Sequence, residues 1–127
     1  MSHQPPASSV QDVMDRMIAG YAANDVETIM SCYEPDAAYV LEPGALASGA
    51  NDLRRLFESL LSMSPQFEFM ADEVIVAGDV ALHLSAYDAR RPGGGVHRGI
   101  SVAVLRRQAS GDWLMAIDHP AAQRVMG

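Results

Sequence analysis

Residues 53–77 read LRRLFESLLSMSPQFEFMADEVIVA, and the fold turns on what happens at Ser64-Pro65. Before that break, Leu53, Leu56, Phe57, Leu60 and Leu61 recur at three- and four-residue spacing, with Arg54, Arg55 and Glu58 on the other side. That period puts one apolar stripe on a helix running from about Asn51 to Met63. After the break the pattern becomes strand-like, in runs Phe67–Ala77, Val80–Asp88, Val96–Arg107 and Trp113–Asp118. Gly78-Asp79, the Arg91-Pro92-Gly93-Gly94-Gly95 stretch and Ser110-Gly111-Asp112 separate these runs. Such short turns join antiparallel neighbours.

Upstream, Val10, Val13, Met14, Met17, Ile18 and Tyr21 form another helical stripe, with Ser9 placed to cap it. Asn24 or Asp25 can cap a short second helix whose apolar side is Val26, Ile29, Met30 and Tyr33. Glu34-Pro35-Asp36 stops it. Ala38–Leu41 then reads as a short strand ending at Glu42-Pro43-Gly44. Helices first and consecutive antiparallel strands second is an α+β plan. One mostly antiparallel sheet must cover three helix stripes, so it has to curve around them as a cone whose open end becomes a pocket. Residues 1–8 read as a disordered lead-in and 9–127 as a single domain, without internal repeats.

Composition narrows the partners. The chain of 127 residues carries a net charge of −7, with a pI near 4.8. That balance argues against nucleic acid or an anionic membrane as partner. No apolar run approaches the roughly 18 residues that span a bilayer. The lone Cys32 excludes an internal disulfide, reads as a buried inert thiol, and makes a cytoplasmic setting the default.

Five local motifs stand in a telling order: Asn24-Asp25-Val26-Glu27, Tyr33-Glu34-Pro35-Asp36-Ala37, Gly49-Ala50-Asn51-Asp52-Leu53, Ala77-Gly78-Asp79-Val80-Ala81 and Gly111-Asp112-Trp113. With the element order, they make the chain from Val10 to Pro120 resemble the nuclear transport factor two-like superfamily, which includes ketosteroid isomerase and the SnoaL-like polyketide cyclases. The Glu-Pro-Gly after the first strand and the terminal Ile-Asp-His-Pro are most similar to a bacterial branch of undefined activity. The resemblance implies a cone with a pocket for a small hydrophobic ligand, and a homodimer through the outer sheet face. It also implies either an isomerase, cyclase or hydratase working without an organic cofactor, or a non-catalytic binding or assembly module on the same scaffold.

The candidate site residues follow from pattern and resemblance together. Glu42 is either a solvated loop acid before Pro43 or a carboxylate aimed into an apolar pocket, where its proton affinity would rise. Leu41-Glu42-Pro43 is similar to the ketosteroid isomerase segment that carries the general base. The oxyanion donors of that enzyme, a Tyr and a protonated Asp, would fall at Met17 and Ala103, so the usual pair is missing. Tyr21, on the same helix face as Met17, is an inexact substitute, and Phe57 stands where a supporting Tyr is common.

In the last strand Asp118 and His119 point to opposite faces if the strand stays extended. Period two groups His119 with Met115 and Ile117 toward the cavity and turns Asp118 away, unless a bulge intervenes. The SnoaL-like resemblance, which implies an Asp near the chain's end, keeps Asp118 a candidate. Alternation puts Leu82 and Leu84 toward the helices and His83, Ser85 and Tyr87 on the outer, dimer-forming face. The expected pocket lining is therefore Met17, Tyr33, Phe57, Leu82, Leu84, Ser101 and Ile117, and the expected catalytic set is Glu42, His119, Asp118 and Tyr21. The histidines lack metal-ligand spacing, so no metal is expected. The Gly93-Gly94-Gly95 run has no following helix or lysine and reads as a hairpin turn, not a phosphate cradle.

Overall fold

The computed structural model describes residues 9–63, 66–90 and 93–126; the lead-in expected over residues 1–8 lies outside them, as do the break at Ser64-Pro65 and the turn residues Arg91 and Pro92. The first helix, α1 (Val10–Ala22), begins at Ser9, whose hydroxyl accepts from the Asp12 amide at 3.1 Å. The second, α2 (Val26–Met30), is capped by Asp25, which accepts from the Thr28 amide and hydroxyl. Strands β1 (Tyr33–Glu42) and β2 (Ala45–Ser48) follow, then α3 (Gly49–Ser62). The β half comprises β3 (Gln66–Ala77), β4 (Val80–Arg90), β5 (Val96–Arg107) and β6 (Trp113–His119), followed by a short 3₁₀ helix, Ala122–Met126.

All six strands form one sheet in the order β2-β1-β6-β5-β4-β3, antiparallel except for the parallel β1–β6 pair. It is an open, curved sheet with the three helices on its concave side, the α+β cone expected. Its core is Val13 from α1, Ile29 and Cys32 around α2, Leu53 and Phe57 from α3, and Leu105 and Met115 from the sheet. Burial pushes the Cys32 thiol up to about 12, so it is an inert core atom. Gly20 lets α1 meet the next helix closely, since a Cβ there would lie 2.8 Å from Ile29 Cγ1.

Two features of the first strand differ from the sequence reading. It begins at Tyr33, before Pro35. Tyr33 pairs with Met115, and regular pairing with β6 resumes only at Ala38, opposite Ile117. Pro35 thus sits in an irregular interval, where its missing N–H takes nothing from the ladder. The strand also turns back on itself. Pro43 and Gly44, with Gly44 at φ +87°, make a two-residue turn into β2, so Glu42 stands opposite Ala45 in a hairpin.

Residues directly opposed in the ladder share a face of the sheet. One concave row therefore runs Tyr39–Asp118–Ala103–His83–Val74 across five strands. The convex row beside it runs Ala38–Ile117–Val104–Leu82–Ile75. Among the described residues no helix is long and apolar enough to cross a membrane.

Candidate functional site

Between the helices and the concave face lies a cavity of about 660 Å³. Met14, Met17, Ile18 and Tyr21 of α1 and Leu56 and Leu60 of α3 form one wall. The sheet supplies Tyr33 and Tyr39, Phe67 and Phe69, His83, Ser85 and Tyr87, Ser101, and Met115 with Asp118. The composition is that of a small-molecule site, mostly apolar with a few convergent polar groups.

Asp118 is the sole carboxylate of that lining among the described residues, and it is 6 % exposed. The Tyr33 hydroxyl donates to its Oδ2 at 2.6 Å. Removal from water pushes the carboxyl up to about 6, against the opposing pull of the Tyr33 hydrogen bond. The phenols of Tyr21, Tyr33, Tyr39 and Tyr87 are all pushed above their usual range, first by burial and then by the negative charge of Asp118. All four therefore stay protonated near neutral pH, and the Tyr33 and Tyr87 hydroxyls donate to Asp118 and to the Pro120 carbonyl. Tyr33 also packs 5.0 Å from the Phe57 ring, and Phe57 lies edge-on to Tyr39 at 5.8 Å. That aromatic stack fixes the two phenols from behind.

A β-bulge brings Asp118 inward. On β5, Val104 faces Ile117 and the adjacent Leu105 faces Met115, so Ala116 is an extra residue on β6. The alternation resets there, and Met115 and Asp118 both point to the concave side. Ile117 is consequently 46 % exposed on the convex face, outside the cavity it was expected to line. His119 lies opposite Val102 on that same convex side and does not line the cavity, and its Nδ1 is buried without a partner among the described residues.

Glu42 is also misplaced by the sequence reading. It is exposed beside the hairpin turn and does not line the cavity; its neighbour Leu41 does. Counting from Tyr39, which faces the cavity, alternation gives the inward place to Leu41 and turns Glu42 outward. On β4 the two faces are exchanged. His83, Ser85 and Tyr87 are buried and line the cavity, while Leu82 and Leu84 face outward with Val104 and Val102. Of the remaining expected lining, Met17, Tyr33 and Ser101 border the cavity, as does Tyr21 of the expected catalytic set, and Phe57 supports it from behind.

The rim is closed by the chain's last segment. Tyr87 donates its hydroxyl to the Pro120 carbonyl, Gln123 accepts from the Ile100 amide at 2.9 Å, and Arg124 donates to the Leu41 carbonyl at 3.2 Å. Gly99 makes room for Tyr87, since a Cβ there would lie 2.5 Å from the ring. Among the described residues no three His, Cys, Asp or Glu side chains converge as a metal site.

The model of the SnoaL-like domain matches residues 14–115. The chain belongs to the SnoaL-like family. Solved structures repeat its cone. One is a candidate ketosteroid isomerase from Shewanella frigidimarina, at TM-score 0.77 and 14% identity over 85% of this chain and 90% of that one. Another is an NTF2-like protein of unknown function from Pseudomonas putida, at 0.78 and 18% identity over 88% and 82%. A third is a candidate dehydratase of the NTF2-like family from Streptomyces avermitilis, at 0.70 and 20% identity over 88% and 92%. At these identities the likeness is one of fold. No protein of curated function matches the chain. Within the SnoaL-like frame, the groups that sequence reasoning missed are His83, Ser85 and Tyr87. Their signal was the polar set of β4, which pattern alone had assigned to the outside.

Proposed function

We propose that the cavity takes a small hydrophobic carbonyl compound and that Asp118 moves a proton on it, in an isomerase-, cyclase- or dehydratase-type reaction needing no organic cofactor. The observation that carries this reading is the buried Asp118 carboxyl, raised to about 6 and held by Tyr33 inside an apolar chamber. A base of that affinity is ionised at neutral pH yet returns its proton readily. Asp118 would take a proton from the carbon next to the ligand's carbonyl. Electron density moves onto the carbonyl oxygen, where a neutral phenol such as Tyr21 donates a hydrogen bond. The proton then goes back to the same carbon, or to a more distant one if a conjugated bond shifts.

The test is solvent deuterium exchange at the α-carbon of cyclic ketones such as 2-decalone, followed by NMR. With Asp118 acting as base, exchange per bound ketone should rise as pH passes through about 6 and level off above it. Asp118→Asn should lower it by roughly 10²- to 10⁴-fold. Glu42→Gln, at the hairpin turn, should leave it unchanged. If the ketones bind but exchange no faster than in buffer, the protein is a binding module. The lining methionines Met14, Met17 and Met115 favour that second reading, since Met adapts to varied apolar ligands.

We further propose that the convex sheet face joins two copies of this chain. Ile75, Leu82, Val104 and Ile117 stand in one row there, and Leu84 and Val102 in the next. Ile75 and Ile117 are each about half exposed in the single chain.

A further inference from the structure

The concave face carries a second polar region that the proton chemistry of Asp118 does not use. Ser85 is 4 % exposed, lines the cavity, and its hydroxyl has no hydrogen-bond partner among the described residues. It stands directly opposite Ser101, which lines the same cavity. His83, two residues away on the same face, is 4 % exposed and tied to Asp72, with Nε2 at 3.3 Å from Oδ2. An unmatched buried hydroxyl is disfavoured, and most such groups in folded proteins find a partner. Here the described residues supply none, and Ser85 borders the cavity, where a ligand can supply one.

The ladder places this region relative to Asp118. Asp118 is opposite Ala103, and Ala103 is opposite His83. The Ser101–Ser85 pair lies two residues further along β5 and β4. Two residues of extended chain span about 7 Å and neighbouring strands lie about 4.8 Å apart, so the two serines start roughly 8 and 12 Å from Asp118 at the backbone. The small Ala103 side chain leaves the space between them open to a ligand.

We propose that Ser85, flanked by Ser101 and His83, is a hydrogen-bonding subsite for a second oxygen of the ligand, on the far side of the cavity from Asp118. The ligand class is thus a compact ring compound with oxygen functions at both ends, one at Asp118 and one at Ser85, separated by roughly one to two fused rings. A monofunctional hydrocarbon ketone would leave the Ser85 hydroxyl unmatched and so bind less well. This inference rests on the cavity being a ligand site and does not depend on Asp118 being catalytic.

Three probes of one shape test it: naphthalene, 2-naphthol and 2,6-dihydroxynaphthalene, with dissociation constants measured by fluorescence titration or calorimetry. The second hydroxyl should tighten binding to the wild-type protein by roughly threefold to tenfold over 2-naphthol, the range of one net hydrogen bond. In Ser85→Ala that gain should shrink to less than about twofold, while 2-naphthol affinity stays as in the wild type. The ligand-free variant should also melt no lower than the wild type, because the hydroxyl it loses bonds to none of the described residues. A gain that survives Ser85→Ala and Ser101→Ala, or a melting temperature that drops by several degrees, would overturn the subsite and leave the pocket reading standing. A protein that binds none of the three probes would remove the pocket reading and the subsite together.

Discussion

At Asp118 stability and the proposed proton chemistry pull in opposite directions. Its carboxyl is raised from 3.8 to about 6 by burial, so the folded chain holds that proton more tightly than the unfolded chain does. Stability from this group is therefore full below about pH 4 and falls as pH climbs to about 6, where the folded protein gives up the proton. Above that the loss is constant, on the order of 3 kcal/mol at about 1.4 kcal/mol per tenfold change in proton affinity. Asp118→Asn removes the titration while leaving an amide oxygen to accept from Tyr33. We expect the stability difference between variant and wild type, measured by urea denaturation, to shift toward the variant by about 3 kcal/mol from pH 4 to pH 8. A difference flat with pH would mean that the carboxyl is solvated. The same burial that burdens the fold is what places the proton affinity in a useful range, and Tyr33 at 2.6 Å limits the rise.

At the level of elements, the cavity depends on how the end of the chain is strapped across three strands. Tyr87 reaches the Pro120 carbonyl only because Gly99, opposite it on β5, has no side chain. In Gly99→Ala the added carbon would lie 2.5 Å from the phenol and must push it aside. We expect a loss of about 1–3 kcal/mol by denaturation, typical of overpacking. We also expect faster proteolysis after Pro120 as the 3₁₀ segment loosens. Unchanged cleavage would mean that Gln123 and Arg124 hold the segment without Tyr87. The three helices and five of the six strands were legible in the sequence because helix and strand periods differ and because Gly and Pro mark the breaks. The strand β2, four residues long after a Pro-Gly turn, is too short to show a period. The facing of two strands was not legible. Alternation sorts a strand's residues into two sets without saying which set faces in, and the usual assumption sends the apolar set inward. On β4 that assumption fails, because the inside is a polar-studded chamber and the outside is a largely aliphatic surface. On β6 a single extra residue, Ala116, inverts the phase for Asp118 and His119, and no side-chain chemistry in Met115-Ala116-Ile117 announces it. Glu42 misled for the opposite reason. Its apolar neighbours suggested burial, yet a Pro-Gly turn carries it into solvent.

For the whole molecule, the exchanged faces bear on assembly. The convex side of β3 to β6 presents aliphatic side chains from four strands, framed by the Asp88–Arg98 pair toward one end and the Glu34–Arg106 pair toward the other. Strands of about ten residues at normal spacing give this face roughly 600 Å² in projection, close to the ~800 Å² that each partner contributes to a stable dimer. The aliphatic centre of that face, bordered by Glu73 opposite Leu84, is a patch of about a few hundred Å², the size that often marks a contact surface. A second copy fits it well, since two such faces are self-complementary about a twofold axis and the charged frames stay at the rim. Ile117, 46 % exposed between Ala38 and Val104, sits within the patch. Ile117→Arg places a charge there that water solvates in the monomer and that an apolar interface cannot. We therefore expect wild-type protein to sediment as a dimer at micromolar concentration and the variant as a monomer. The variant's affinity for 2-naphthol should match the wild type, because Ile117 does not line the cavity. A wild type that stays monomeric at tens of micromolar would show that the cone acts singly, and a variant that still dimerises would put the dimer contact on another face.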